Sequence, residues 1–377
     1  MTKKKFFRLS VIRHLAVMAI SFGLVGILVF CTLNISFLNP IETAFEDFSI
    51  TDMYYQMHNN VGEARKSNLV TIVDMTDLNA RRDLAKTIEE IESHNPAVLG
   101  IDIVFEGLKE DTIGDNMVMD VAEKYENMVY SYKLLNYING QYTEEVHSFF
   151  TPFIPVTEGF TNFERKLYGG IKREVTIGQA SQGDVKPSFA LTVANMYAGQ
   201  ETMPLEDKQM IINFIPTDFN TISYNEVSQY PELIDGRIVL LGATKDEYDM
   251  HYTPLGKKPG VELIAYSVET ILRQKEVRTA SWWEFALLSI LIVLLTEVLV
   301  SWYKDVMRKL PKGLCKLILS SSMVITILVF VLMLVYFMGA YWAFYVCNFS
   351  VNLGWAFSAM ACIDLSQQFY DIFTKEE

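Results

Sequence analysis

Lys316 and Asp364 enclose 47 residues without a formal charge. A helix of that length would be about 70 Å long, more than twice the ~30 Å hydrocarbon core of a bilayer. The stretch must therefore turn back. The sequence predicts two spans, 317–338 and 341–363, meeting near Met338-Gly339-Ala340. A further run lacks charge between Arg13 and Glu42 and predicts a span over 15–36. Its length, and the lack of a small-x-small site near 30–38, speak against a cleaved signal peptide. Phe30 before Cys31 is too bulky for lipoprotein processing. The remaining block, Phe285 to Tyr303, is broken only by Glu297 and gives a span over 283–303.

Charge orients these spans. Lys3, Lys4, Lys5, Arg8 and Arg13 precede the first, and Lys304, Arg308, Lys309, Lys312 and Lys316 outnumber Asp305 between the second and third. The positive-inside rule then places 1–14, 304–316 and the tail 364–377 in the cytoplasm. Four crossings satisfy every signal, for a multi-pass protein of the cell (inner) membrane with both termini inside and 37–282 extracytoplasmic. Trp282, Trp283, Trp302 and Trp342 fall at expected interfaces, and Trp355 lies within the fourth span.

The outer block of 246 residues carries 21 Lys+Arg and 38 Asp+Glu, a formal charge of −17. Such a surface excludes a cationic nucleic-acid binder. Cys31, Cys315, Cys347 and Cys362 all lie outside the block, so its stability must come from a hydrophobic core. Leu69–Val73 is a β-branched run ending in Asp74, residues 79–93 show helical spacing, and Ala97–Phe105 is a second apolar run. Strand, crossover helix and strand in ~37 residues make a βαβ unit. Further helices are expected at 114–125, 187–198 and 260–273. Strands are expected at 127–132, 209–215 and 236–242, with a hairpin at Tyr168-Gly169-Gly170. The fold class is α/β: a three-layer extracytoplasmic domain with a mainly parallel sheet, plus four transmembrane helices.

Particular residues carry a resemblance. Gly100-Ile-Asp-Ile-Val-Phe105 opens it, and Gly169-Gly170-Ile-Lys-Arg173 and Pro187-Ser-Phe-Ala190 continue it. The most specific part is Gly236-Arg-Ile-Val-Leu-Leu-Gly-Ala-Thr244, then Asp249, Thr253-Pro-Leu-Gly256, Pro259-Gly-Val-Glu262 and Ala265. Over nearly all of 40–280 the chain resembles the second type of extracytoplasmic sensory domain of the CHASE family. Three transmembrane helices after the domain are a habit of that family. Thr76 departs from its usual Asp, and its Trp-Pro-Trp element is missing, leaving Arg81 as the match. Relatives commonly continue into a cyclase or kinase, whereas this sequence stops about a dozen residues after its last apolar run.

Asp74 and Asp102 end the parallel strands, where ligands of open α/β sheets bind. They would hold a cation or a sugar hydroxyl, or else cap the loops that follow. The resemblance adds Asp249 and Thr253 as ligand contacts, with turn formation as the other reading. Glu297 is an intramembrane carboxylate, a candidate relay or partner contact unless it snorkels beside Lys304. Ser350, Gly354 and Ser358 would form a close-packing stripe, with Ala19 and Gly23 on the first helix. His14, His58, His94, His147 and His251 are scattered, and no zinc, hydrolase or phosphate-loop spacing occurs. The expectation is a non-enzymatic sensor or signalling adaptor without cofactor or metal. It would detect a small ligand or envelope condition and relay it to a separate kinase, cyclase or other effector, with a homodimer as one arrangement. The alternative is a structural or assembly protein whose outer domain binds another envelope protein.

Overall fold

A computed structural model describes residues 3–34, 50–60, 65–162, 170–215 and 217–375. The chain divides into two compact units: 53–277, and a second unit formed by 1–52 with 278–377. In chain order, α1 (Lys3–Asn34) belongs to the second unit, and α2 (Ile50–Asn60) leads into the first. The first unit continues with β1 (Arg65–Asp74), α3 (Arg81–Ser93), β2 (Val98–Ile101), α4 (Thr112–Lys124), β3 (Met128–Ile138) and β4 (Gln141–Val146). Then follow β5 (Thr157–Phe160), β6 (Glu174–Ser181), β7 (Asp184–Pro187), α5 (Phe189–Ala198), β8 (Lys208–Ile211) and β9 (Thr217–Ser223). The unit closes with β10 (Ile238–Gly242), the hairpin β11 (Met250–Thr253) and β12 (Gly256–Pro259), and α6 (Gly260–Leu272).

The main sheet runs β7-β6-β4-β3-β2-β10-β1-β9, with β5 beside β3 and β8 beside β6. From β3 to β9 every neighbouring pair is parallel. Ile238-Val-Leu-Leu241 at the centre is fully buried, the signature of a strand covered on both faces. Val239 and Leu241 join Val73, Leu99 and Ile101 in a core with Leu84, Ile88 and Ile91 of α3 and Val118 and Val121 of α4. Because strand side chains alternate, Leu240 points to the opposite face, toward Phe189 and Val193 of α5. Helices thus cover both faces, and the three-layer, mainly parallel architecture expected from the sequence is what forms.

Helix ends follow local chemistry. Asp111 caps α4 through Gly114 N–H at 3.2 Å, and Ser188 caps α5 through Leu191 N–H at 3.3 Å. Gly199 ends α5 in the left-handed region. Arg81 begins α3 but is buried. It pairs with Asp115, donates to the carbonyls of Glu106 and Gly107 at 3.1 and 2.8 Å, and lies 4.7 Å from the Phe149 ring centroid. This pins the 106–111 loop to the helical layer. The expected hairpin at Tyr168-Gly169-Gly170 falls largely outside the described residues.

The second unit adds β13 (Arg278–Thr279), α7 (Trp282–Lys309), α8 (Leu314–Leu319), α9 (Ser322–Cys347), β14 (Phe349–Ser350), α10 (Gly354–Ala361) and α11 (Ile363–Lys375). Among the described residues three helices are long and apolar enough to cross a membrane: Val11–Phe30, Trp282–Lys309 and Ser322–Cys347. The expected four spans are corrected to three candidates. No hairpin forms at Met338-Gly339-Ala340, because one glycine costs a helix only about 1 kcal/mol and does not break it, and α9 runs through it. The chain turns instead at Asn348, which adopts φ 50°. There β14 pairs in parallel with β13, so Arg278 N donates to Asn348 O and Ala280 N to Ser350 O at 3.0 and 3.1 Å. The rest of the apolar run divides at Cys362 into α10 and the more polar α11. Ser350 is therefore not on a helix with Gly354 and Ser358. On α1 the buried face is Val17, Ser21 and Val25, whereas Ala19 and Gly23 are exposed.

Candidate functional site

The carboxyl ends of β2, β10, β1 and β9 stand side by side, and those of β2 and β1 carry the expected Asp102 and Asp74. Asp102 follows β2, Gly242 ends β10, Asp74 ends β1, and Tyr224 follows β9. The chain leaves β1 toward α3 on one face and β10 toward α6 on the other. A crevice opens where connections part in this way.

Asp74 closes the β10–β1 position. One carboxylate oxygen accepts from Thr76 N at 3.0 Å, Thr76 Oγ1 at 2.6 Å and Thr244 N at 3.2 Å, and the other meets Lys245 Nζ at 2.9 Å. Thr76 Oγ1 also accepts from the amides of Thr244 and Lys245 at 3.0 and 3.1 Å. Burial alone would raise the Asp74 pKa, but the Thr76 hydroxyl, Lys245 and the Thr76 and Thr244 bonds together hold it far below the usual carboxylate range. With its oxygens engaged, Asp74 joins the loop after β1 to the loop after β10. Thr76, a departure from the resemblance, is the hub of that join.

Asp102 is different. It is half-buried, and its carboxylate accepts no hydrogen bond among the described residues. Burial, reinforced by the Asp249 charge and only partly offset by Lys133, pushes its pKa up to about 7. Asp249 lies against Gly260, where a Cβ would collide with both carboxylate oxygens. Its negative charge thus sits at the N-terminus of α6, where a helix favours one. His251 Nε2 stands 3.4 Å from Asp249 Oδ1. Gly242 permits this crowding, since a Cβ there would meet Val261 Cγ2 at 2.8 Å and Asp102 Cβ at 3.5 Å. The structure therefore brings Asp102 and Asp249 together.

Thr253 stands apart from that pair. It is 5% exposed and bonds within its own hairpin, donating to Gly256 O at 2.8 Å and accepting from Leu255 N at 3.1 Å. That is the turn-forming role. Among the described residues no group of three or more His, Cys, Asp or Glu could hold a metal ion.

Sequence reasoning missed a second polar cluster on β4 and β5. His147 bridges Glu158 at 2.8 Å and Glu145 at 3.1 Å and stacks on Tyr132 at 4.6 Å, while Ser181 donates to Glu145 at 2.7 Å. Burial raises the Glu158 pKa against the pull of His147. The run Tyr142-Thr-Glu-Glu-Val-His147 carries no periodic signal that marks it.

In the second unit Glu297 is fully buried. It pairs with His14 of α1 and accepts from Ser301 at 2.9 Å and Gln367 of α11 at 3.1 Å. Lys304 is engaged elsewhere, with Asp364 and Gln367, both at 2.6 Å. Glu297 is thus satisfied inside the bundle and does not snorkel toward Lys304.

These features define a class: an α/β domain with a loop-built crevice at its carboxyl edge, linked to long apolar helices. Residues 24–299 match the CHASE2 domain, and the chain belongs to that family of extracytoplasmic sensory domains. No curated protein and no solved structure matches the chain.

Proposed function

We propose that the protein is a non-enzymatic membrane sensor whose outer domain detects a small ligand or envelope condition and passes the change to a separate kinase, cyclase or other effector. The observation that carries this reading is the path of the chain from the crevice to the membrane. Asp249 sits against the first residue of α6, and after α6 the chain passes through residues 273–281, which include β13, into α7, an apolar helix of 28 residues. A displacement of the 243–249 loop would act on the helix that leads into the bilayer. The basic loop 304–316 supports cytoplasmic placement of the far end of α7, and Lys3, Lys4, Lys5, Arg8 and Arg13 support the same placement for the N-terminus.

A photo-reactive residue at Lys309, in the full chain expressed in its native membrane, tests this. The sensor reading expects capture of a cytoplasmic signalling protein. Capture confined to outer-domain positions, with envelope proteins as the products, would refute it and support an assembly role.

A further inference from the structure

Beyond β1 and β9, next to the Asp74–Lys245 join, lies a cleft of about 290 Å³. Its walls include Asp77, Asn79, Asp83, Lys86, Thr87 and Tyr224. Thr87 is decisive. It is 6% exposed, on the stripe of α3 that otherwise carries Leu84, Ala85, Ile88 and Ile91, yet its hydroxyl meets no partner among the described residues. The side chain is otherwise enclosed by α3 and its neighbours, so its hydroxyl is open only toward the cleft, where a ligand hydroxyl or water can pair with it. The side chains of Asp77, Asn79 and Tyr224 likewise make no hydrogen bond among the described residues, and Asp83 has only an exposed ion pair with Lys86 at 3.4 Å.

The chemistry of the walls selects the occupant. Two carboxylates against one ammonium disfavour an anion, as does the −17 charge of the block. A bare metal ion lacks enough ligands among the described residues. A hydrocarbon would leave every polar wall group unpaired. A polyhydroxylated molecule fits, because hydroxyls donate to Asp77 and Asp83, accept from Asn79 and Lys86, and do either with Thr87 and Tyr224. The Tyr224 ring, partly buried against the core, offers a surface for the C–H face of a sugar. The volume is at the small end for ligand sites, matching a molecule of monosaccharide size.

We propose that this cleft binds a neutral saccharide through Asp77, Asn79, Asp83, Thr87 and Tyr224. The proposal rests on the sensory reading and names its ligand class. The loop that forms one wall begins one residue after Thr76, so occupancy bears directly on the Thr76 bonds to Thr244 and Lys245.

Calorimetric titration of the full chain in detergent micelles with glucose, galactose and N-acetylglucosamine tests it, with glutamate and spermidine as contrasting probes. At least one saccharide should bind. Thr87→Val, which keeps the volume, and Asp77→Asn, at an exposed position, should each weaken binding by roughly tenfold or more, about 1.4 kcal/mol. Failure of all three saccharides, binding of glutamate or spermidine in their place, or saccharide binding unchanged in both variants would overturn the proposal. The capture experiment at Lys309 uses no ligand, so failure of the ligand class and failure of the sensory reading are separable.

Discussion

Replacing Asp102 by Asn should remove a pH dependence from the outer domain. The Asp102 pKa rises from 3.8 to about 7 in the folded protein, through burial first and the Asp249 charge second. The folded state therefore binds the proton more tightly than the unfolded chain between those two values. Stability is fully retained below pH ~4, falls as pH rises through the window, and levels off above pH ~7. A full shift of this size corresponds to about 4 kcal/mol. Asp102 keeps some solvent contact, which screens its charge, so a loss of about 2–4 kcal/mol is expected between pH 4 and pH 8. Asn cannot ionise, so the variant should lose this slope and exceed the natural protein in stability at pH 8. Hydrogen-exchange mass spectrometry on β2 and β10 peptides of the full chain, corrected for the intrinsic pH dependence of exchange, reads this directly. Equal slopes in the two proteins would refute the reasoning.

Other perturbations test other parts. Arg81→Met should destabilise the outer domain by about 3–5 kcal/mol, because it strands the buried Asp115 and frees the 106–111 loop; limited proteolysis at that loop would report it. Gly242→Ala should weaken the seating of α6 by about 1–3 kcal/mol, read as faster exchange in peptides 260–272, since its Cβ would overlap Val261. Glu297→Leu should destabilise the membrane unit by about 1–3 kcal/mol, with Glu297→Gln milder. Tryptophan fluorescence isolates this effect, because Trp282, Trp283, Trp302, Trp342 and Trp355 all belong to that unit. Alkaline phosphatase fused after residue 150 should be active and after residue 310 inactive; the reverse would invert the topology.

The parallel core was readable because β1 ends in the apolar run Leu69–Val73, β2 and β10 are apolar throughout, and α3 and α6 carry apolar stripes at helical spacing. Both aspartates at the sheet's edge followed from the same logic, yet the sequence could not separate the engaged Asp74 from the unbonded Asp102. That distinction depends on Thr76, Thr244 and Lys245, of which the last two lie some 170 positions away along the chain. The β3–β4 hairpin had a plain signal in Asn139-Gly140, whose φ values of 52° and 86° suit a tight two-residue turn. Strands such as β5, of four residues, are too short for periodicity to register. In the membrane unit a charge-free run reports apolarity and not where the backbone turns. The left-handed Asn348 and the β13–β14 pairing decide that. Thr87 is a polar residue on the apolar stripe of α3, and only the cleft gives that position a meaning.

For the proposed sensory role, the distribution of rigidity sets where movement can pass. β10 is sealed on both faces and between two parallel neighbours, so it cannot move without breaking the core. Movement at the carboxyl edge must therefore pass through loops, and two independent devices hold the same one. Asp74 and Thr76 grip its start at Thr244 and Lys245, and Asp249 ends it against Gly260. The helix that follows is buried at eleven of its thirteen positions and spans about 20 Å, so it responds as a rod and not by bending. Beyond it, the peptide at Arg278–Thr279 is bonded to the turn between α9 and α10. In the proposed sensor, a shift of the 278–281 linker would reach α7 through the chain and α9 through those backbone bonds at once. Two helices moved from one linker would change their mutual arrangement, which is what the proposed effector would read, whereas one displaced helix could slide or tilt in lipid without consequence.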